Sequence, residues 1–211
     1  MFLRNHKKFF GILALCMSLI SMISCSEQEE TNDFSNWKSR NTTFIDSIAN
    51  VAKLNADGKW MIKKAYNLGE AISIDNSANS YFIYIHKIED GTGSESPLFN
   101  DSVRIHYCGR LIHTDIYPEG YMFGKSYSTN TLDEATDVPS LMGVNQGTSG
   151  FSTALMYMKE GDRWMVYIPS YLGYGTEDNS DANIPASSTL IFDIKLAKIY
   201  KYGKDKNTAW H

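Results

Sequence analysis

A tyrosine held between two glycines is the most conspicuous chemical group in this sequence. Tyr174 stands between Gly173 and Gly175, in a polar loop that also contains Asn179 and Asp181. A large side chain in such a loop has little reason to join a core, and it presents an aromatic hydroxyl. Other aromatic residues recur along the chain, among them Tyr107, Phe123, Phe151 and Phe192. Taken alone, each is as readily a plain core ring as the wall of an apolar pocket. Groups for nucleophilic or metal chemistry are scattered. The sequence has no Gly-x-Ser-x-Gly, no zinc-ligand pair at helical spacing and no phosphate-cradling glycine loop. His86, His106 and His113 lack companion ligands and read as structural or exposed. Cys108 alternates with Arg104, His106 and Arg110, away from the apolar face of its strand, and reads as a bystander. No metal and no cofactor is expected.

The elements that must position these groups follow from apolar periodicity. Trp164, Val166 and Ile168 share one strand face, and Leu190, Phe192, Ile194 and Leu196 share another. Pro169 ends the first strand, and the glycines after it allow sharp turns. Ser80 to Ile88 reads as a strand, and in 101–111 Val103, Ile105, Tyr107 and Leu111 share a face. Gly150 to Met158 reads as a short helix with Phe151, Leu155 and Met158 on one side. Trp37 to Leu54 has helical spacing, with Phe44, Ile48 and Ala52 beside Ile45, Ala49 and Val51. Trp60, Met61, Ile62 and Tyr66 form a second apolar cluster. Residues 37–75 are therefore expected to be a helical N-terminal extension, packed on the main domain or serving as an arm for a homodimer.

Composition bounds the rest. The 211 residues are 43% hydrophobic and 21% charged, ordinary for one folded domain. No basic excess points to nucleic acid. Arg4, Lys7 and Lys8 precede an apolar run from Phe9 to Ile23, too short for a comfortable membrane span. Met22-Ile23-Ser24-Cys25 resembles a bacterial lipoprotein box, with acylation at Cys25. On that reading residues 1–24 are a leader, 25–36 an acidic tether, and the mature chain has a formal net charge of −7. The expected location is the cell envelope, extracytoplasmic and lipid-anchored, at the outer membrane of a Gram-negative bacterium. Cys108 is then the one cysteine left besides Cys25, so no internal disulfide forms.

From Tyr81 to Tyr200 the motifs, in order and at matching spacing, resemble the FKBP-type peptidyl-prolyl cis–trans isomerases. The residues that carry the likeness are Val103-Arg-Ile-His-Tyr-Cys-Gly-Arg-Leu111, Tyr121 to Tyr127, Gly150-Phe-Ser-Thr-Ala-Leu155, Met158-Lys-Glu-Gly-Asp162, the Tyr174 loop, Ile184-Pro185 and Phe192-Asp-Ile-Lys-Leu196. The resemblance implies an α+β fold over 80–203, with a bent antiparallel β-sheet wrapped around a short α-helix. It implies a site lined by Tyr107, Phe123, Phe151, Ile184 and Phe192, with the Tyr174 hydroxyl and the Ile184 backbone N–H as donors. Three departures stand out: Gly124 takes the place of the family's pocket aspartate, Phe151 that of its tryptophan, and Gly147-Thr148 that of a Val-Ile pair. The implied activity is isomerisation of Xaa-Pro bonds in extracytoplasmic, proline-containing polypeptides. The departures keep a second reading open, a catalytically weak or inactive peptide-binding chaperone on the same fold; a structural subunit of a surface complex is a third.

Overall fold

The computed structural model describes residues 33–73, 75 and 78–204. The expected leader, Cys25 and most of the tether lie outside the described residues. The elements run α1 (Trp37–Leu54), β1 (Trp60–Lys64), β2 (Phe82–Glu89), β3 (Ser102–Arg110), β4 (Met122–Lys125), β5 (Ser140–Gly143), α2 (Ser149–Tyr157), β6 (Arg163–Ile168) and β7 (Leu190–Tyr200). The fold is α+β, as expected. Seven strands form one antiparallel sheet in the order β1-β2-β6-β7-β3-β4, and β5 pairs with the first half of β3. Chain order and spatial order differ because β7 inserts between β6 and β3, pairing with both.

The two helices cover opposite faces of this sheet. Phe151, Ala154, Leu155 and Met158 of α2 share one core with Ile83, Ile85, Val103, Ile105, Trp164, Val166, Ile168, Leu190, Phe192, Ile194 and Leu196. The strict alternation in β6 and β7 arises because their inner-face residues meet α2 while the others face outward. On the outer face, Ile45, Ala49 and Ala52 of α1 pack against Phe82 and Tyr84 of β2. That second layer explains why β2 begins with four buried residues and no alternation. The buried stripe of α1 runs through Trp37, Asn41, Ile45, Ala49 and Ala52; of the residues expected on it Ile45, Ala49 and Ala52 are buried, Phe44 and Ile48 flank it, and Val51 is exposed.

One expectation is corrected. The second apolar cluster of the extension is not helical: Trp60–Lys64 is a strand paired with β2, with Trp60 opposite His86 and Lys64 opposite Phe82. Met61 packs on the core beside α2 while Trp60 and Ile62 pack beside α1. Apolar residues on both faces erase the period of two that marks a half-buried strand.

β3 and β7 are pinned by a buried carboxylate. Asp101, almost fully buried, accepts hydrogen bonds from the backbone N–H groups of Leu98 (2.7 Å) and Tyr202 (2.8 Å), with Lys201 Nζ at 3.3 Å. Burial pushes its pKa up, but the two amides and Lys201 outweigh that and hold it below the usual carboxylate range. A folded-state pKa below the unfolded one means the stabilisation is present above about pH 4 and is lost as pH falls through the lowered value. Asp101→Asn is therefore expected to lower stability at neutral pH and to flatten the loss of stability below about pH 4, read as urea midpoints against pH.

Candidate active site

Phe192 is the hub of an aromatic cluster on the inner face. It sits on β7 opposite Gly109 of β3 and Val166 of β6. Phe151 of α2 meets it at 4.8 Å between ring centroids and 69°, Phe123 of β4 at 5.3 Å and 85°, and Tyr107 of β3 at 6.5 Å and 55°. Edge-to-face packing of this kind sets electropositive ring edges on electronegative faces. Phe192 and Phe151 are nearly buried, while Phe123 and Tyr107 are half-buried, so the cluster opens to solvent along its β3–β4 side.

Three glycines shape it by volume. A Cβ on Gly109 would lie 2.4 Å from Phe123 Cε2 and 2.7 Å from Phe192 Cε1, so the rings pass over bare backbone. Gly124, paired with Gly109 across the strands, has the opposite surroundings. A Cβ there would meet only Tyr107, at 3.6 Å from Cε2 and 3.8 Å from the hydroxyl. A small side chain at Gly124 would therefore touch Tyr107 without displacing it. At Gly147 a Cβ would come within 2.8 Å of Phe151 Cδ1. The absence of a side chain at Gly147 thus gives the Phe151 ring its place. Thr148 has a separate reason: it is the N-cap of α2, and its Oγ1 accepts from the Phe151 N–H at 3.4 Å. Its own N–H makes no hydrogen bond among the described residues.

The structure brings Tyr107, Phe123, Phe151 and Phe192 together. Tyr174 lies on the exposed loop after β6, 41% exposed; no ring contact joins it to the cluster and its hydroxyl has no partner among the described residues. Ile184 is 1% exposed and part of the main core, so it backs the site. Its expected role as a backbone donor is corrected: the Ile184 N–H donates to Asn179 O at 2.9 Å, and the Asn179 N–H returns to Ile184 O at 2.8 Å. That two-way bridge closes the loop between β6 and β7 and leaves no proton for a ligand. Sequence reading missed Gly109 and the Thr148 N–H as site components. A glycine inside a strand of β-branched and aromatic residues was the available signal for the first, since it marks close approach of other groups to the backbone.

Other reactive groups lie elsewhere. His106 is 4% exposed on the outer face, its Nδ1 is unpartnered, and burial lowers its pKa, which keeps it neutral at pH 7. Cys108 is buried on the same face; burial, then the thiol beside it, pushes the Tyr127 hydroxyl up to about 12. A half-open cleft of about 620 Å³ on that face is lined by Phe44, Cys108, Arg110, Met165, Tyr167 and Asp193, with the sheet between it and the aromatic cluster. Among the described residues no group of three metal-ligating side chains comes together.

Comparison with known proteins agrees with this architecture. Residues 93–197 match the family model described as FKBP-type peptidyl-prolyl cis-trans isomerase. The FKBP-type 22 kDa peptidyl-prolyl cis-trans isomerase of Escherichia coli is 36% identical over 112 residues, which is 53% of this chain and 47% of that one. The chain thus spans about half the length of that relative. The macrophage infectivity potentiator of Trypanosoma cruzi is 24% identical over 204 residues, 96% of this chain and 90% of that protein. A solved peptidyl-prolyl cis-trans isomerase from Pseudomonas syringae shares the fold with a TM-score of 0.52 at 22% identity, over 78% of this chain and 96% of that one. The FK506-binding protein of Neisseria meningitidis serogroup B is 30% identical over 119 residues, 56% of this chain and 97% of that protein. With its sheet, its short inner helix and its motifs in place, the chain belongs to the FKBP-type peptidyl-prolyl cis–trans isomerase family.

Proposed function

We propose that the protein catalyses cis–trans isomerisation of Xaa-Pro bonds in polypeptides, with the Phe192 cluster as the proline site. The observation that carries this reading is an aromatic cluster of Phe192, Phe151, Phe123 and Tyr107, with Phe123 and Tyr107 half-buried at its edge. The barrier to rotation is about 18–20 kcal/mol because resonance stiffens the C–N bond. The planar amide is more charge-separated than the twisted one, so water favours the ground state. Moving the bond against Phe123, Phe151, Phe192 and Tyr107 removes that preference. No nucleophile and no cofactor is needed. A donor that holds the substrate carbonyl then favours the twisted geometry, which is differential stabilisation of the transition state. Tyr174 supplies one hydroxyl. With the Ile184 N–H committed to Asn179, the unpaired Thr148 N–H beside Phe151 takes the second position.

A protease-coupled assay with a proline peptide tests the proposal. Tyr174→Phe is expected to lower kcat/KM about tenfold, the worth of one lost hydrogen bond of about 1.4 kcal/mol. Its Tm should not move, because the hydroxyl makes no internal bond. Gly124, standing where the resemblance implies an aspartate, favours a second reading, a peptide-binding chaperone without catalysis. Wild-type protein that slows aggregation of an unfolded client yet isomerises no peptide above background would establish that reading instead.

We also read residues 1–24 as a leader and Cys25 as the acylated residue, which places the folded domain in the cell envelope on a lipid anchor, where extracytoplasmic proline-containing chains are its clients. Loss of radiolabelled palmitate from a Cys25→Ala variant is the expected result. α1 uses its apolar face inside the chain's own domain, which favours a packing role over a dimerisation arm.

A further inference from the structure

Helix α1 lies outside the segment that matches the family, yet its first turn reaches the active-site loops. Trp37 Nε1 donates to Ser188 Oγ at 2.8 Å. One turn on, Asn41 Oδ1 accepts the Thr189 N–H at 2.7 Å, and Asn41 Nδ2 donates to Trp37 O at 2.8 Å. Trp37 is 6% exposed and Asn41 3%. A buried asparagine on the apolar stripe of a helix is costly to place unless its amide is satisfied, and here both ends of the amide are. The stripe therefore keeps a polar residue where, together with Trp37, it meets the turn after Ile184-Pro185.

That turn is strained. Ser187 has φ +63° and Asn183 φ +52°. Asparagine tolerates the left-handed region; serine does so rarely. Such a residue persists only where its surroundings over-determine it, and such residues concentrate at functional sites. The surroundings here are explicit. Ser188 Oγ donates to Pro185 O at 2.6 Å while accepting from Trp37. The Ser187 N–H donates to Gly175 O at 2.8 Å, and the Gly175 N–H to Ser170 O at 2.8 Å. Hydrogen bonds and the short backbone between them thus link α1, through the strained turn after Ile184-Pro185, to the residue next to Tyr174.

We propose that Trp37 and Asn41 are positioning residues for the isomerase site: α1 locks the 183–189 turn, and through Ser187 and Gly175 fixes the loop that presents Tyr174. The proposal rests on the isomerase reading above. The N-terminal helix is thus a working part of the site, not an appendage to it.

The test uses the whole chain with two variants, read in two ways. Asn41→Ala removes the acceptor for Thr189; Trp37→Phe keeps a ring in place and removes one N–H, so it stands in if the first variant fails to fold. Measured well below the melting transition, each is expected to lower kcat/KM about tenfold, since small misplacements at a site carry penalties of this size. Amide hydrogen exchange at Ile184 and Ser187 should quicken about tenfold, while Val166 and Ile194 in the sheet stay protected. A merely structural role would lower protection throughout and leave the folded protein's kcat/KM unchanged. Wild-type kcat/KM in both variants overturns the proposal, and so does lost activity with unchanged exchange at Ile184 and Ser187. A wild-type protein without isomerase activity sinks the isomerase reading instead, and exchange at those two amides still decides whether α1 holds the turn.

Discussion

Phe192→Ala is expected to remove activity and stability together. The ring is 8% exposed, belongs to the main core, and is the partner that Phe151, Phe123 and Tyr107 share. Truncating a buried phenylalanine costs about 3–5 kcal/mol, a transfer loss plus a cavity that the neighbours fill only in part. A domain with a margin of about 5–15 kcal/mol survives that loss, but with a far lower Tm. The catalytic loss should exceed the stability loss in its consequences. With the hub gone, the three remaining rings have no common surface, and the prolyl ring would meet a wet hollow. A fall of about a hundredfold in kcat/KM is expected, measured under conditions where circular dichroism shows the variant folded. A variant that folds and keeps its kcat/KM would remove Phe192 from the site and the aromatic cluster from the mechanism.

The second large effect comes from adding one methyl group. Gly109→Ala would set a Cβ 2.4 Å from Phe123 Cε2, 2.6 Å from its Cζ and 2.7 Å from Phe192 Cε1. These are ring atoms held by neighbouring side chains, not the ends of flexible chains. Both rings must shift, at an overpacking cost of about 1–3 kcal/mol. Gly124→Ala is the internal control. It is the residue paired with Gly109, and its Cβ meets nothing closer than 3.6 Å. The first variant should lose at least about tenfold in kcat/KM by displacing the reacting geometry and fall in Tm, and the second should show no overpacking loss in Tm. An equal Tm in the two would show that the rings are free to move, and the packed hub would be the wrong picture.

What the sequence revealed follows the physics of each element. β6 and β7 were legible because one side of each faces α2 and the other faces outward, so apolar residues fall at every second position. β1 was not, because α1 and the main core cover its two sides and the alternation vanishes. The four aromatic residues come together in one cluster, and each lies within a motif of fixed spacing. The Ile184 donor was misread because its partner, Asn179, is set by how the loop closes on itself, and no local pattern records that closure. The bonds from Trp37 and Asn41 to Ser188 and Thr189 span 151 and 148 residues, beyond the reach of any pattern in a single chain.

The strand order also bears on how this protein can be cut down. Residues 93–197 match the family, but Phe82–Glu89, which lies beside Arg163–Ile168, falls outside that stretch, as does Trp60–Lys64 beyond it. A trimmed fragment would leave the backbone of Arg163–Ile168 unpaired along one side, a ready template for other chains. Solubility in such a fragment would fail before chemistry did, so its silence in an assay would report clumping and not a dead enzyme.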